Sequence, residues 1–122
     1  MLNQIILVGR LTHDIEVKIL EDGRKVSDLT LAVQRPFKNM DGVYETDFIR
    51  CTAWEGLATA IESYCTKGVM VALKGRVQTW KYEIDEEKKL TMLDVIAERI
   101  TYLSSPRNAE RTSDRKEEKN PS

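Results

Sequence analysis

In GRVQTWKY, residues 75–82, alternate positions separate by chemistry. Successive strand residues point to opposite faces. Gly75 and Val77, with Leu73 before them, make an aliphatic face. Lys74, Arg76, Gln78, Trp80 and Tyr82 make the other. The segment YETDFIRCTAW, residues 44–54, divides in the same way. Ile49, Cys51 and Ala53 suit a core, and the opposite face carries Tyr44, Thr46, Phe48, Arg50, Thr52 and Trp54. Rings on a strand offer flat π surfaces, and guanidinium or ammonium groups beside them pair with anions.

Together these groups suit a ligand with flat heterocycles on an anionic chain, which is an unpaired nucleic-acid strand. The competing use of such rings is to pair across a sheet, cover a barrel end or fill a subunit contact. Tyr64 and Tyr102 read as core or interface, and Phe37, next to Pro36 beside a loop, fits either use. The charged run 83–89 reads as the solvated tip of a long hairpin that extends beyond the barrel.

The formal net charge of -1 argues weakly against a polyanionic partner. Residues 1–104 hold 14 basic and 16 acidic side chains. Positive charge must therefore be gathered on one face. An enzyme is not indicated. The chain has one histidine, His13, which reads as a surface residue, and no phosphate-binding loop, dinucleotide fingerprint or metal-ligand cluster. Asp85, Glu86 and Glu87 are adjacent, and adjacent turn residues rarely converge on one substrate. No cofactor or metal is expected. Two cysteines, Cys51 and Cys65, are too few for a disulfide framework and point to a reducing cytoplasm. The N-terminus lacks a basic leader and a cleavage site, and no apolar run is long enough to span a bilayer.

The elements that must position these faces follow from the pattern. Strands are expected over 3–12, with 15–20 as a continuation after a bend, then 26–34 and 44–54. Leu57, Ile61 and Tyr64 then recur at helical spacing, with Gly68 as the glycine that ends the helix. Strands over 69–82 and 90–103 complete the order of three strands, one helix and two strands. That is the order of the OB-fold, an all-β, five-stranded Greek-key barrel with one helix between strands 3 and 4. The domain is expected over 1–104. The remainder, 105–122, has no large apolar residue and reads as a disordered tail.

Several stretches also carry a family likeness: NQIILVGRLTHD, DLTLAVQRPFKN, ETDFIRCTAWEGLA, YCTKG, GRVQTWKY and VIAERI. On these, residues 1–104 resemble the bacterial single-stranded DNA-binding proteins. The resemblance implies an OB-fold that binds single-stranded DNA without sequence preference in replication, recombination or repair. It implies a homotetramer in the cytoplasm, associated with the nucleoid. By position, the family's stacking rings fall on Phe37, Phe48, Trp54 and Tyr82, and phosphate or groove contacts on Arg50, Lys67 and Lys81. Trp80, Gly56 and Gln78 stand where the family often has basic residues. The family's acidic C-terminal tip has no counterpart in the final EEKNPS. That resembles the short forms linked to DNA uptake, phages or mobile elements, and equally a dimeric primosome-type OB protein. The alternative function is therefore an adaptor of that type, acting mainly through protein–protein contacts. RNA binding is a third reading, because stacking discriminates weakly between ribose and deoxyribose.

Overall fold

A computed structural model of the chain describes residues 1–105. The expected tail lies outside them, apart from Ser105. Six strands and one helix occur in the order β1 (Ile5–Leu11), β2 (Lys18–Ile19), β3 (Lys25–Lys38), β4 (Tyr44–Trp54), α1 (Glu55–Tyr64), β5 (Met70–Glu83) and β6 (Lys89–Ser104).

The strands run in the order β1-β5-β6-β4-β3-β2, and β1 also pairs with β3. That last pairing closes β1, β5, β6, β4 and β3 into a five-stranded barrel, the OB-fold expected from the element order. The seams are unequal. β5 and β6 pair antiparallel from Glu83↔Lys89 down to Met70↔Ser104, and β3 and β4 pair from Val26↔Trp54 to Lys38↔Tyr44. The β1–β3 ladder holds only Arg10↔Ala32 and Leu11↔Leu31, and the parallel β4–β6 ladder only Cys51↔Val95 and Thr52↔Ile96. The barrel is thus two broad ribbons joined along two narrow seams.

The inward positions are the aliphatic ones in the sequence. Leu29, Leu31, Cys51, Ala53, Val71 and Leu73 have no exposed surface, and Ala58 and Ile61 of α1 join the same cluster. Gly75 also faces inward, where β6 carries one extra residue between Ala97 and Arg99. A Cβ on Gly75 would collide with the carbonyl oxygen of Ile96, so the two backbones approach this closely only because Gly75 has none.

Four local expectations change. Residues 18–19 do not continue β1 but form a separate two-residue strand against β3. β3 runs past Gln34 to Lys38, and a bulge between those residues accommodates Pro36, which has no N–H to give a ladder. Helix α1 ends at Tyr64 with Cys65 extended as its cap, so Gly68 (φ 90) belongs to the following turn, not to the helix end. Tyr64 and Tyr102 are 77% and 50% exposed, so neither is core within one chain. Tyr64 keeps the helical period of Leu57 and Ile61, but it is the last helical residue and lies beyond the surface they cover.

Candidate nucleic-acid interface

The outward rows follow from the register. On β3 and β4 the facing outward pairs are Val26/Trp54, Asp28/Thr52, Thr30/Arg50, Ala32/Phe48 and Gln34/Thr46. On β5 and β6 they are Arg76/Ile96, Gln78/Asp94, Trp80/Met92 and Tyr82/Leu90. The parallel seam sets Thr52 beside Ile96, and the Thr52 hydroxyl donates to the Asp94 carboxylate at 3.0 Å. The two rows are therefore one continuous outer surface that crosses β3, β4, β6 and β5. Phe48 and Trp54 stand about 20 Å apart along β4 at the usual rise per residue.

The rings on this surface are accessible. Phe48 is 68% exposed, and Trp80 and Tyr82 are each close to half exposed. Trp80 and Tyr82 stand on the part of the β5–β6 hairpin beyond the core, opposite Met92 and Leu90. Trp54 is partly buried, and Arg24 places its Cζ over the ring, 4.8 Å from the centroid. Tyr44 stays exposed, with the Lys38 ammonium 5.6 Å from its ring centroid. Phe37 is 63% exposed and lies in the β3 bulge, outside the regular alternation.

The cations do not stand alone. Arg50 donates to Asp28 at 3.3 Å, and Arg76 lies 3.6 Å from Glu98 and donates to Gln78 at 2.9 Å. Arg24 donates through Nε to Asp22 at 2.8 Å. The Arg24 backbone N–H and then its side chain hold the Asp22 carboxyl below its ordinary range. All these groups are solvent-exposed, and water screens exposed pairs so that they contribute little to stability. A phosphate can therefore exchange with a carboxylate at small cost. A separate ion cluster, Arg35 with Asp47 and Glu45, braces the β3–β4 hairpin. Its hydrogen bond to Asp47 raises the Arg35 pKa and lowers that of Asp47.

Three of the cations named in the sequence lie off the ring surface. Lys81 points to the other side of the hairpin from Trp80 and Tyr82, and pairs with Thr91. Lys74 is outward on β5 but sits beside Ile6 of β1 and Arg99 of β6, at the far end from the rings. Lys67 occupies the turn after α1, where its backbone N–H donates to Asp14 at 2.8 Å. Conversely, the sequence reading passed over Arg24, Asp28 and Asp94. Arg24 could have been found: it precedes the outward Val26 by two residues, immediately after the turn signal Asp22-Gly23.

A barrel of this topology, with rings and arginines spread over one outer surface, defines an OB-fold of the strand-binding type. The comparison with known proteins gives the family. The model of the single-strand binding protein family matches residues 2–103, and the chain belongs to that family. It is 41% identical over 108 residues to single-stranded DNA-binding protein 3 of Listeria innocua, covering 88% of this chain and 68% of that protein. It is 40% identical over 110 residues to the single-stranded DNA-binding protein of Halalkalibacterium halodurans, covering 90% of this chain and 65% of that one. With single-stranded DNA-binding protein B of Bacillus subtilis it shares 39% identity over 114 residues, 93% of this chain and 100% of the relative.

Proposed function

We propose that this chain binds single-stranded DNA without sequence preference and protects it during replication, recombination or repair. Bases stack on Phe37, Phe48, Trp80 and Tyr82, the strand passes over the covered ring of Trp54, and Arg50 and Arg76 exchange their carboxylate partners for phosphates. Lys67 and Lys74 belong to a longer path of the strand around the barrel, and Lys81, on the reverse of the hairpin, stays off it. The protein performs no catalysis. It works in the cytoplasm as a homotetramer.

The observation that carries this reading is the joining of two ring-and-arginine rows across the β4–β6 seam, at Thr52 and Asp94. A continuous surface can follow a strand over several nucleotides, and each stacked base contributes about 1–3 kcal/mol. The names of the relatives agree with it and do not favour the adaptor alternative. No helix among the described residues is long and apolar enough to cross a membrane.

The test is a tryptophan fluorescence titration with dT oligomers and with duplex DNA, at two salt concentrations, on protein whose mass in solution is known. The expected result is quenching by the oligomers, weaker at high salt, with little response to duplex. Equal affinity for both would refute it, because a stacking surface does not reach paired bases.

A further inference from the structure

Arg24 is held in one place by three independent constraints. The turn before it fixes its backbone: Gly23 takes φ 91, and the Leu20 N–H donates to the Arg24 carbonyl at 2.8 Å. The Asp22 carboxylate then grips it twice, accepting the backbone N–H at 3.0 Å through one oxygen and Nε at 2.8 Å through the other. Finally the guanidinium lies over the Trp54 ring. Such a contact holds an arginine while leaving its donors free.

Those constraints leave the two terminal nitrogens over. Among the described residues, neither Nη atom of Arg24 has a hydrogen-bond partner, and 55% of the side-chain surface is exposed. Arg24 precedes Val26 by two residues, one outward step along the row, and Val26 faces Trp54. Arg50 lies four residues from Trp54 in the other direction. Trp54 therefore shares its outer row with Arg50, and the guanidinium on its own face, that of Arg24, is already oriented.

We propose that Arg24 is a phosphate-contacting residue of the DNA surface, and that Trp54 meets the strand through the guanidinium that covers it. This inference rests on the reading of the chain as a single-strand binder. Arg24 engages a phosphate oxygen through its terminal nitrogens without leaving the ring. Immobilised beforehand, it loses little rotamer freedom on binding. The outermost plane at this end of the surface is then a cation, not an indole, and Trp54 acts as its support.

The experiment isolates Trp54 emission in a Trp80→Phe background and titrates dT oligomers over a series of salt concentrations. Arg24→Ala and Arg24→Lys are compared with the parent, and circular dichroism confirms folding. Arg24→Ala is expected to lower the slope of log K against log salt by about 0.7, the value for one phosphate on a single strand, and to weaken binding. Arg24→Lys, which keeps the charge, is expected to restore the slope. An unchanged slope in Arg24→Ala overturns the proposal. So does tighter binding with deeper Trp54 quenching, which would make Arg24 only a lid on the ring. Unsubstituted protein, with both tryptophans, that does not bind dT at all overturns this inference and the proposed function together, whereas failure confined to the Arg24 variants leaves the function standing.

Discussion

Trp80 and Tyr82 meet edge to face, with ring centroids 6.3 Å apart and planes at 87°. They sit on the same side of β5, yet their flat faces look in different directions. One base cannot lie flat on both. Either each ring takes its own base, or one ring props the other in position. Edge-to-face pairs are worth about 0.5–1.5 kcal/mol beyond their burial, so removing one ring also disturbs the other.

The first prediction follows from that geometry. Tyr82→Ala and Trp80→Ala each weaken binding by about 1–3 kcal/mol with the salt slope unchanged. The double variant loses less than the sum of the two, by about 0.5 kcal/mol or more. Strict additivity shows that the rings act separately. Sedimentation of Trp80→Ala is the control: smaller oligomers with intact binding per subunit place this ring in a subunit contact.

Charge is tested by comparing Arg50 with Lys81. Arg50 shares the outer row with Phe48 and Trp54, whereas Lys81 faces away from Trp80 and Tyr82. Arg50→Ala is expected to reduce the salt slope by about 0.7, and Lys81→Ala to leave it nearly unchanged. A slope reduced by about 0.7 in Lys81→Ala means that the strand also uses the reverse side of the hairpin.

Gly75→Ala probes the close approach of β5 to β6. The added methyl meets the Ile96 backbone, which cannot turn aside as a side chain can. Overpacking of this kind costs about 1–3 kcal/mol, and the melting temperature should fall by about 5 °C or more. A melting temperature equal to that of the parent shows that the bulge absorbs the methyl.

Cys51 makes a prediction about pH. Burial, and then the nearby Asp94 carboxylate, push its thiol up to about 12 from an ordinary value of 9.0. Above the ordinary value, the unfolded chain gives up this proton while the folded one keeps it. Stability that is complete below about 9 is therefore lost progressively as the pH rises toward about 12. Denaturant melts across that window should show a steeper decline for the parent than for Cys51→Ala. Parallel declines reject the assignment.

The alternation of side chains is a local property, and it made the faces legible. Cys51 and Ala53 are inside, and Phe48 and Arg50 outside, as the spacing of residues 44–54 requires. The element order was legible for the same reason, as was the ring-bearing hairpin. What stayed hidden depends on pairings between distant segments. Asp28 reaches Arg50 only once β3 is registered against β4, and Asp94 reaches Thr52 only across the parallel seam. The Arg24–Trp54 contact needs a turn whose geometry two letters, Asp22 and Gly23, only suggest. Lys81 came from family likeness by position, although alternation alone puts it on the side away from Tyr82. Tyr64 shows the limit of periodicity, which gives a direction but not where the covering surface ends.

The two narrow seams also bear on motion. One ribbon, β3 with β4, carries Phe48, Arg50 and Trp54. The other, β5 with β6 and β1, carries Arg76, Trp80 and Tyr82. Only a few ladder bonds on each side hold the ribbons together, helped by the Thr52–Asp94 contact. Opening should begin there, and amide protons along the seams, such as those near Thr52 and that of Thr12, which donates to Thr30, should exchange before those of the long ladders. A strand lying across both ribbons is then a strap over a joint. It slows the hinging of one half against the other, so bound DNA would raise seam protection far from any atom that it touches.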